Sequence, residues 1–247
     1  MLRNKGLSLL LGSCALLLQP SLVPISAQEQ TSLQNLKQSL KAQKKLSLFG
    51  SREIRSRSVR SFNKWTAMWR RHNLPRATEE QKSRRATDRS GGCPPTERVE
   101  CSRAAWNKFV EEQQGVPTGE LLDAVNDYMN KTTYIVDPVN WGIPDYWATP
   151  DEFFLKDGDC EDYAISKYVT LKRLGVEPTD MRIVILQDEN LRVAHAVLAV
   201  RHEDKYMILD NQVNAVLPDT QILHYRPVYS INETGWWLHH KKRFTGK

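Results

Sequence analysis

The sequence predicts an α+β fold in which one helix packs against an antiparallel sheet. Apolar residues recur at helical spacing over residues 164–174, and Gly175 with Pro178 ends that run. The period then changes to two in three short segments, which are expected to be strands at 181–186, 193–200 and 206–210. A helix followed by such a meander is typical of α+β folds and not of doubly wound ones. The aromatic stretch after residue 219 is expected to add an edge strand and a tail.

The 247-residue chain divides into three parts. Residues 1–27 are predicted to be a signal peptide, with two early basic residues, an apolar core at 6–18 and small residues before the cleavage site. Export to the periplasm is therefore expected. No later apolar run has membrane length, so an integral membrane protein is not expected. Residues 28–103 form a basic N-terminal extension, and 104–247 form the main domain.

Charge is unevenly distributed between the two halves of the chain. Residues 28–108 hold 19 Lys and Arg against 7 Asp and Glu, whereas residues 111–238 hold 10 against 22. Opposite charges of this kind can attract each other within one protein. The basic half contains no nucleic-acid recognition motif, so nucleic-acid binding is not predicted.

The extension is polar over residues 28–60, which are expected to be poorly ordered at first. Phe62, Trp65 and Trp69 then recur at spacings of three and four, which predicts a short helix that docks on the main domain. Cys93 and Cys101 are eight positions apart, and an oxidising compartment favours a disulfide between them.

Cys160 is the candidate nucleophile. If Cys14 leaves with the signal peptide and Cys93 pairs with Cys101, Cys160 is the one free thiol. It follows Asp159, a good N-cap, so it is predicted to lie in the first turn of the helix. The positive end of the helix dipole favours a thiolate there, but the surrounding carboxylates raise the pKa of the thiol. A histidine partner or a bound cation is needed to offset those charges.

His195 and Asp210 are the candidate partners of Cys160. His195 lies mid-strand between two alanines, and Asp210 ends the next strand. A hairpin turn at 203–204 makes the two residues diagonal neighbours, and a turn at 202–203 places them directly opposite each other. Both registers keep the carboxylate within reach of the imidazole, so the sequence predicts a Cys-His-Asp triad. The other histidines are interpreted as surface residues: His72, His202, His224, His239 and His240.

Acidic residues flank the nucleophile and could hold a cation. Asp157, Asp159, Glu161 and Asp162 resemble a calcium loop in charge density, but their spacing is not that of an EF-hand. Helix capping and solvated charge are the alternative explanation. The aromatic loop at 134–150 also leaves two interpretations open: a peptide-binding wall, or a loop held against the core by its tryptophans.

Several sequence strings occur together in residues 121–239: GDCEDYAISKY, HAVLAV and ILDN, with NWG and DYWATP before them and YSINETGWWLH after them. In these strings the chain resembles the bacterial transglutaminase-like cysteine peptidases. This resemblance implies a papain-like core with the triad Cys160, His195 and Asp210. It also implies Ca²⁺ dependence, with ligands among Asp159, Glu161 and Asp162.

The resemblance further implies a substrate and a regulator. The expected substrate is a large surface adhesin, cut near its N-terminus beside a di-alanine site to release cells from a biofilm. The expected regulator is an inner-membrane cyclic-di-GMP receptor that sequesters the protease. Two other functions stay open on the sequence: an acyl transferase that uses the same triad, and a non-catalytic peptide-binding module.

Overall fold

The computed structural model describes residues 46–74 and 98–240, together with residues 30, 32 and 34; at 98–101 it describes the helix but not the side chains. The predicted signal peptide lies outside these residues. So do Cys93 and the side chain of Cys101, and the expected disulfide stays a prediction. None of the described helices has the length and apolar character needed to span a bilayer.

Residues 46–74 and 98–240 form an α+β fold with six helices and seven strands, as the sequence predicts. The helices are α1 (Asn63–His72), α2 (Arg98–Glu112), α3 (Thr118–Asn130), α4 (Asp137–Asn140), α5 (Pro150–Lys156) and α6 (Cys160–Arg173). The strands are β1 (Arg52–Ser56), β2 (Met181–Asp188), β3 (Val193–His202), β4 (Lys205–Leu209), β5 (Leu217–Pro218), β6 (Tyr225–Asn232) and β7 (Gly235–His240).

The seven strands lie in one antiparallel sheet with the order β1-β7-β6-β2-β3-β4-β5. The predicted meander forms β2, β3 and β4. Glu203 and Asp204 turn the β3–β4 hairpin with positive φ angles, which match the twist of the two strands. The prediction of a single edge strand after residue 219 is wrong. Strand β6 pairs with β2 in the interior of the sheet, and β7 continues from it.

Helix α6 packs on β2 and β3 and supplies much of the larger core. Its side chains Ile165, Tyr168 and Leu171 are fully buried in one cluster with Ile183 and Leu198 of the sheet. Burial of these side chains at helical spacing explains the strong period in the sequence, and the predicted helix is confirmed.

The other face of the sheet is covered by the N-terminal segment. Leu48 is fully buried in a second cluster with Val184 and Val197, which alternate with the residues that face α6. Strand β1 pairs with β7 at the edge of the sheet. The expectation of poor order over 28–60 is therefore wrong for residues 48–56. Leu48 packs on the sheet, and the backbone of β1 pairs with β7.

Helix α1 packs on the same core as α6. Trp65 and Met68 are fully buried, and the Trp65 ring lies edge-on to Tyr168 with a centroid distance of 5.8 Å. Phe62 packs 5.2 Å from the ring of Trp236. Trp69 is partly buried against the same cluster. The aromatic stripe of the extension thus packs within the unit that holds the sheet.

His239 lies within the sheet, so its interpretation as a surface residue is wrong. Strand β7 is flanked by β1 and β6, and both ring nitrogens of His239 have hydroxyl partners. Nδ1 is 2.7 Å from Ser51 Oγ, and Nε2 is 2.8 Å from Ser230 Oγ. These bonds allow a neutral imidazole to be buried. Burial lowers the pKa of His239 to about 4.

The fold should lose stability as the pH falls from 6.5, the ordinary value, to about 4. In that window the unfolded chain binds a proton at residue 239 that the folded chain excludes. His239→Gln should reduce this pH-dependent loss by about 1–3 kcal/mol, while it lowers stability at neutral pH. Urea unfolding at pH 7 and pH 4.5 measures both effects, with His202→Gln as the control. An unchanged pH dependence in His239→Gln would contradict the assignment.

Candidate active site

Cys160 is the first residue of α6, and the turn before it is shaped by close backbone packing. Asp157 has a φ of 64°. A Cβ on Gly158 would lie 2.4 Å from Asp162 Oδ2, so glycine alone fits at this position. The carbonyl of Gly158 accepts the N–H of Ile135 at 2.9 Å, which joins the turn to the segment after α3.

The β3–β4 hairpin brings His195 and Asp210 together. Leu198 pairs with Leu209, so Asp210 follows the register opposite Val197 and is diagonal to His195. This is the first of the two registers considered above. His195 Nε2 is 2.9 Å from Asp210 Oδ1, and both side chains are buried.

The Asp210 carboxylate has hydrogen-bond donors on both oxygens. Oδ1 accepts the N–H of Gln212 at 2.9 Å in addition to the His195 contact, and Oδ2 accepts the hydroxyl of Tyr225 at 2.6 Å. Burial by itself raises the pKa of Asp210. The hydrogen bonds, led by that of His195, outweigh burial and hold the pKa below its usual value. Asp210 is thus ionised at neutral pH and can accept a hydrogen bond from His195 Nε2.

The sulfur of Cys160 lies against strand β3, where it accepts the backbone N–H of Ala196, the residue that follows His195. The thiol donates to Glu161 Oε2 at 3.2 Å. Burial raises the pKa of the thiol, and the charges of Glu161 and Asp159 raise it further. The neighbouring acids therefore oppose thiolate formation, as the sequence analysis predicts.

Three buried carboxylates converge at the start of α6. Asp137, Asp159 and Asp162 have carboxylate oxygens within 4.8 Å of one another. Among the described residues, Asp137 Oδ1 and Asp159 Oδ1 are buried without a hydrogen-bond partner. Burial raises the pKa of Asp137, and it raises that of Asp162 well above its usual value. Clustered, unpartnered carboxylate oxygens are the donors that Ca²⁺ prefers, so this set fits that ion.

An overlapping group contains Asp137, Asp145 and Glu161. Burial, followed by the charge of Asp159, raises the pKa of Glu161 to about 9. Asp145 forms an exposed ion pair with Lys64 of α1. Asp159 also lies in a third group, with Cys160 and Glu161. Of the three predicted ligands, Asp159 thus meets Asp162 in one group and Glu161 in another.

Asp137 does not emerge from the sequence as a candidate ligand. It lies in the aromatic loop, 22 residues before Asp159, and no local spacing connects it to the nucleophile. The fold alone brings it near: the N–H of Asp137 donates to Asp159 Oδ2 at 3.3 Å, and its carboxylate accepts the N–H of Tyr146.

The aromatic loop supports each of its two interpretations at a different residue. Trp147 is buried in the core, as expected of a loop held by its tryptophans. Tyr134 is 51% exposed and forms a short parallel bridge with Gly158, so its ring lies near the turn that leads to Cys160.

The sequence model of one protein family, the bacterial transglutaminase-like cysteine proteinases, matches residues 93–243, more than half of the chain. The chain belongs to this family. It is similar to EGTA-treated LapG of Legionella pneumophila, with 34% identity over 59% of this chain and 79% of that one, at a TM-score of 0.53. Calcium-bound LapG of the same organism gives 32% identity over 60% of this chain and 84% of that one, also at a TM-score of 0.53. A comparison with curated proteins gives no significant match.

Membership of this proteinase family makes the chain a cysteine peptidase. Its α+β fold, in which Cys160 begins the helix that packs on the sheet, agrees with the transglutaminase-like core that the sequence resemblance implies. A cysteine peptidase needs a thiol, an imidazole and a group that orients the imidazole, and this structure supplies candidates for all three in Cys160, His195 and Asp210.

Gly158→Ala should lower the unfolding free energy by about 2 kcal/mol or more, because the new Cβ collides with the buried Asp162 side chain. Gly119→Ala is the matched control. Its Cβ would meet only His202 Nε2 at 3.5 Å, inside a helix that favours alanine by up to ~1 kcal/mol. Urea unfolding compares the two variants. Equal stability would show that the turn before Cys160 tolerates a side chain at residue 158.

Proposed function

We propose that this protein is an exported, Ca²⁺-dependent cysteine endopeptidase whose triad is Cys160, His195 and Asp210. One observation carries the proposal: His195 Nε2 contacts Asp210 Oδ1 at 2.9 Å, next to Ala196, whose N–H binds the sulfur of a helix-start cysteine. Family membership supplies the reaction class.

The proposed reaction follows from the proton positions. Nε2 of His195 donates to Asp210, which leaves Nδ1 to take the thiol proton. The Cys160 thiolate attacks the peptide carbonyl, and His195 protonates the departing amine. Water then hydrolyses the thioester while His195 accepts its proton. The backbone N–H of Cys160, at the first position of α6, stabilises the oxyanion.

In this proposal Asp137, Asp159 and Asp162 hold the Ca²⁺, with Glu161 next to them. The bound ion would supply positive charge that lowers the pKa of the thiol and pairs with buried carboxylates. The similarity to LapG, of which one structure is calcium-bound, supports Ca²⁺ binding, and the clustered carboxylates support the choice of ligands.

Exposed apolar side chains occur in two parts of the chain that also carry site residues, which suits the binding of an extended peptide. They are Tyr134, Val136, Val139 and Ile143 in the loop that meets the Cys160 turn, and Leu191, Val193 and Leu223 close in sequence to His195 and Tyr225. As the family resemblance implies, the proposed substrate is a large surface adhesin cut beside a di-alanine site, which controls biofilm attachment. The proposed regulator is an inner-membrane cyclic-di-GMP receptor that sequesters the enzyme.

Cys160→Ala should abolish cleavage of the N-terminal region of a large secreted repeat protein from the same genome. Its unfolding free energy should stay within about 1 kcal/mol of the native value, because the change removes one partly buried sulfur. Gel analysis measures the cleavage, and urea unfolding measures the free energy. Retained cleavage would refute the triad, and incorporation of a labelled amine into the product would favour acyl transfer over hydrolysis.

Asp137→Asn should weaken Ca²⁺ binding at least tenfold, because it removes one of three clustered charges. Calorimetric titration with CaCl₂ measures this, and EGTA should abolish cleavage by the native enzyme. Asp151→Asn is the control, since Asp151 pairs with Arg103 at 2.7 Å outside this cluster. Equal Ca²⁺ affinity in both variants would remove Asp137 from the site.

A further inference from the structure

Tyr225 forms a hydrogen bond with the carboxylate oxygen of Asp210 that His195 does not contact. Its hydroxyl donates to Oδ2 at 2.6 Å, whereas His195 and the N–H of Gln212 share Oδ1. A carboxylate that is bonded at one oxygen can rotate about its Cβ–Cγ bond. Donors on both oxygens fix the plane of the group, and that plane determines where Oδ1 points.

The ring of Tyr225 is itself held by packing on two sides. It lies 5.8 Å from the His195 ring and edge-on to Phe49 at 6.1 Å. Phe49 belongs to the N-terminal segment that covers the second face of the sheet, and its N–H donates to Asp219 Oδ2 at 2.6 Å. Tyr225 is 6% exposed, so its hydroxyl has little competition from water.

The hydroxyl is a permanent donor at any working pH. Burial raises the pKa of Tyr225, and its bond to Asp210 raises it further. Phenylalanine at this position would keep the ring contacts and leave Oδ2 buried without the only described side-chain donor that reaches it. Such an orphaned acceptor is strongly unfavourable, so the carboxylate would turn or take up a proton.

We propose that Tyr225 is a positioning residue that aims the Asp210 carboxylate at His195 Nε2. By fixing Oδ1, it keeps the His195 proton on Nε2 and leaves Nδ1 available to Cys160. The role rests on the proposed peptidase function, but the hydrogen-bond geometry on which it acts can be measured without any substrate.

Tyr225→Phe is the direct test, with Tyr168→Phe as the matched control. Tyr168 is a fully buried tyrosine whose hydroxyl also bonds a carboxylate, that of Glu233 at 3.2 Å, away from the triad. For a quenched fluorogenic peptide with a central Ala-Ala bond, Tyr225→Phe should lower kcat about tenfold, equivalent to ~1.4 kcal/mol, and leave KM unchanged. Tyr168→Phe should leave both constants unchanged.

Proton NMR supplies the readout that needs no substrate. The Nε2–H of His195, donated to a buried carboxylate, should give a downfield resonance in the native protein and in Tyr168→Phe. In Tyr225→Phe that resonance should move upfield and exchange with solvent at least tenfold faster. An unchanged resonance with unchanged kcat would overturn the role of Tyr225, whereas failure of the native enzyme to cut any peptide would count against the proposed function alone.

Phe49→Leu is a second variant that tests the same role if Tyr225→Phe misfolds. It keeps the Tyr225 hydroxyl and removes only the aromatic ring that packs against Tyr225. It should lower kcat about two- to fivefold and raise the exchange rate of the same resonance by a similar factor. Activities are scaled to the Cys160 thiol that a reactive probe labels, so a loss of folded protein does not count as a loss of kcat. Native values in Phe49→Leu would show that the ring needs no support.

Discussion

The start of helix α6 is assembled around one buried carboxyl group, that of Asp162. It accepts the N–H of Ala148 at 2.6 Å and that of Asp159 at 3.3 Å, and Gly158 packs directly against it. These contacts join the loop before α5, the turn after α5 and the first turn of α6. A buried carboxylate is strongly unfavourable unless donors or a cation compensate it, so the geometry of this turn depends on that compensation.

Two acids close to Asp162 oppose ionisation of the Cys160 thiol. Glu161 and Asp159 raise the pKa of the Cys160 thiol, and the thiol is hydrogen-bonded to Glu161. In the proposed mechanism, a cation at the cluster would pair with the buried, unpartnered oxygens of Asp137 and Asp159. It would also reduce the negative charge near the sulfur and so lower the pKa of the thiol. Order at the turn and reactivity of the thiol would then depend on one binding event.

Regular strand pairing, and not a packed turn, positions the imidazole of His195 and the carboxylate of Asp210. The β3–β4 register places His195 diagonal to Asp210, and strand β6 adds Tyr225 from the other side. The N-terminal segment supports this arrangement from the second face of the sheet, through Phe49 against Tyr225 and Leu48 in the core. Residues that composition alone assigns to a basic extension therefore contribute to the surroundings of the site.

The sequence by itself determined the helix that begins at Cys160, the meander after it and the candidates Cys160, His195 and Asp210, because periodicity and the sequence strings are local signals. It also indicated that acids near Cys160 would raise the pKa of its thiol. The tertiary structure decided which of two hairpin registers joins His195 to Asp210, and it brought Asp137 to Asp159 across 22 residues. It also placed His239 inside the sheet and the segment around Leu48 beneath it. These features depend on pairing between distant segments, and the energy of such contacts leaves no pattern in neighbouring residues.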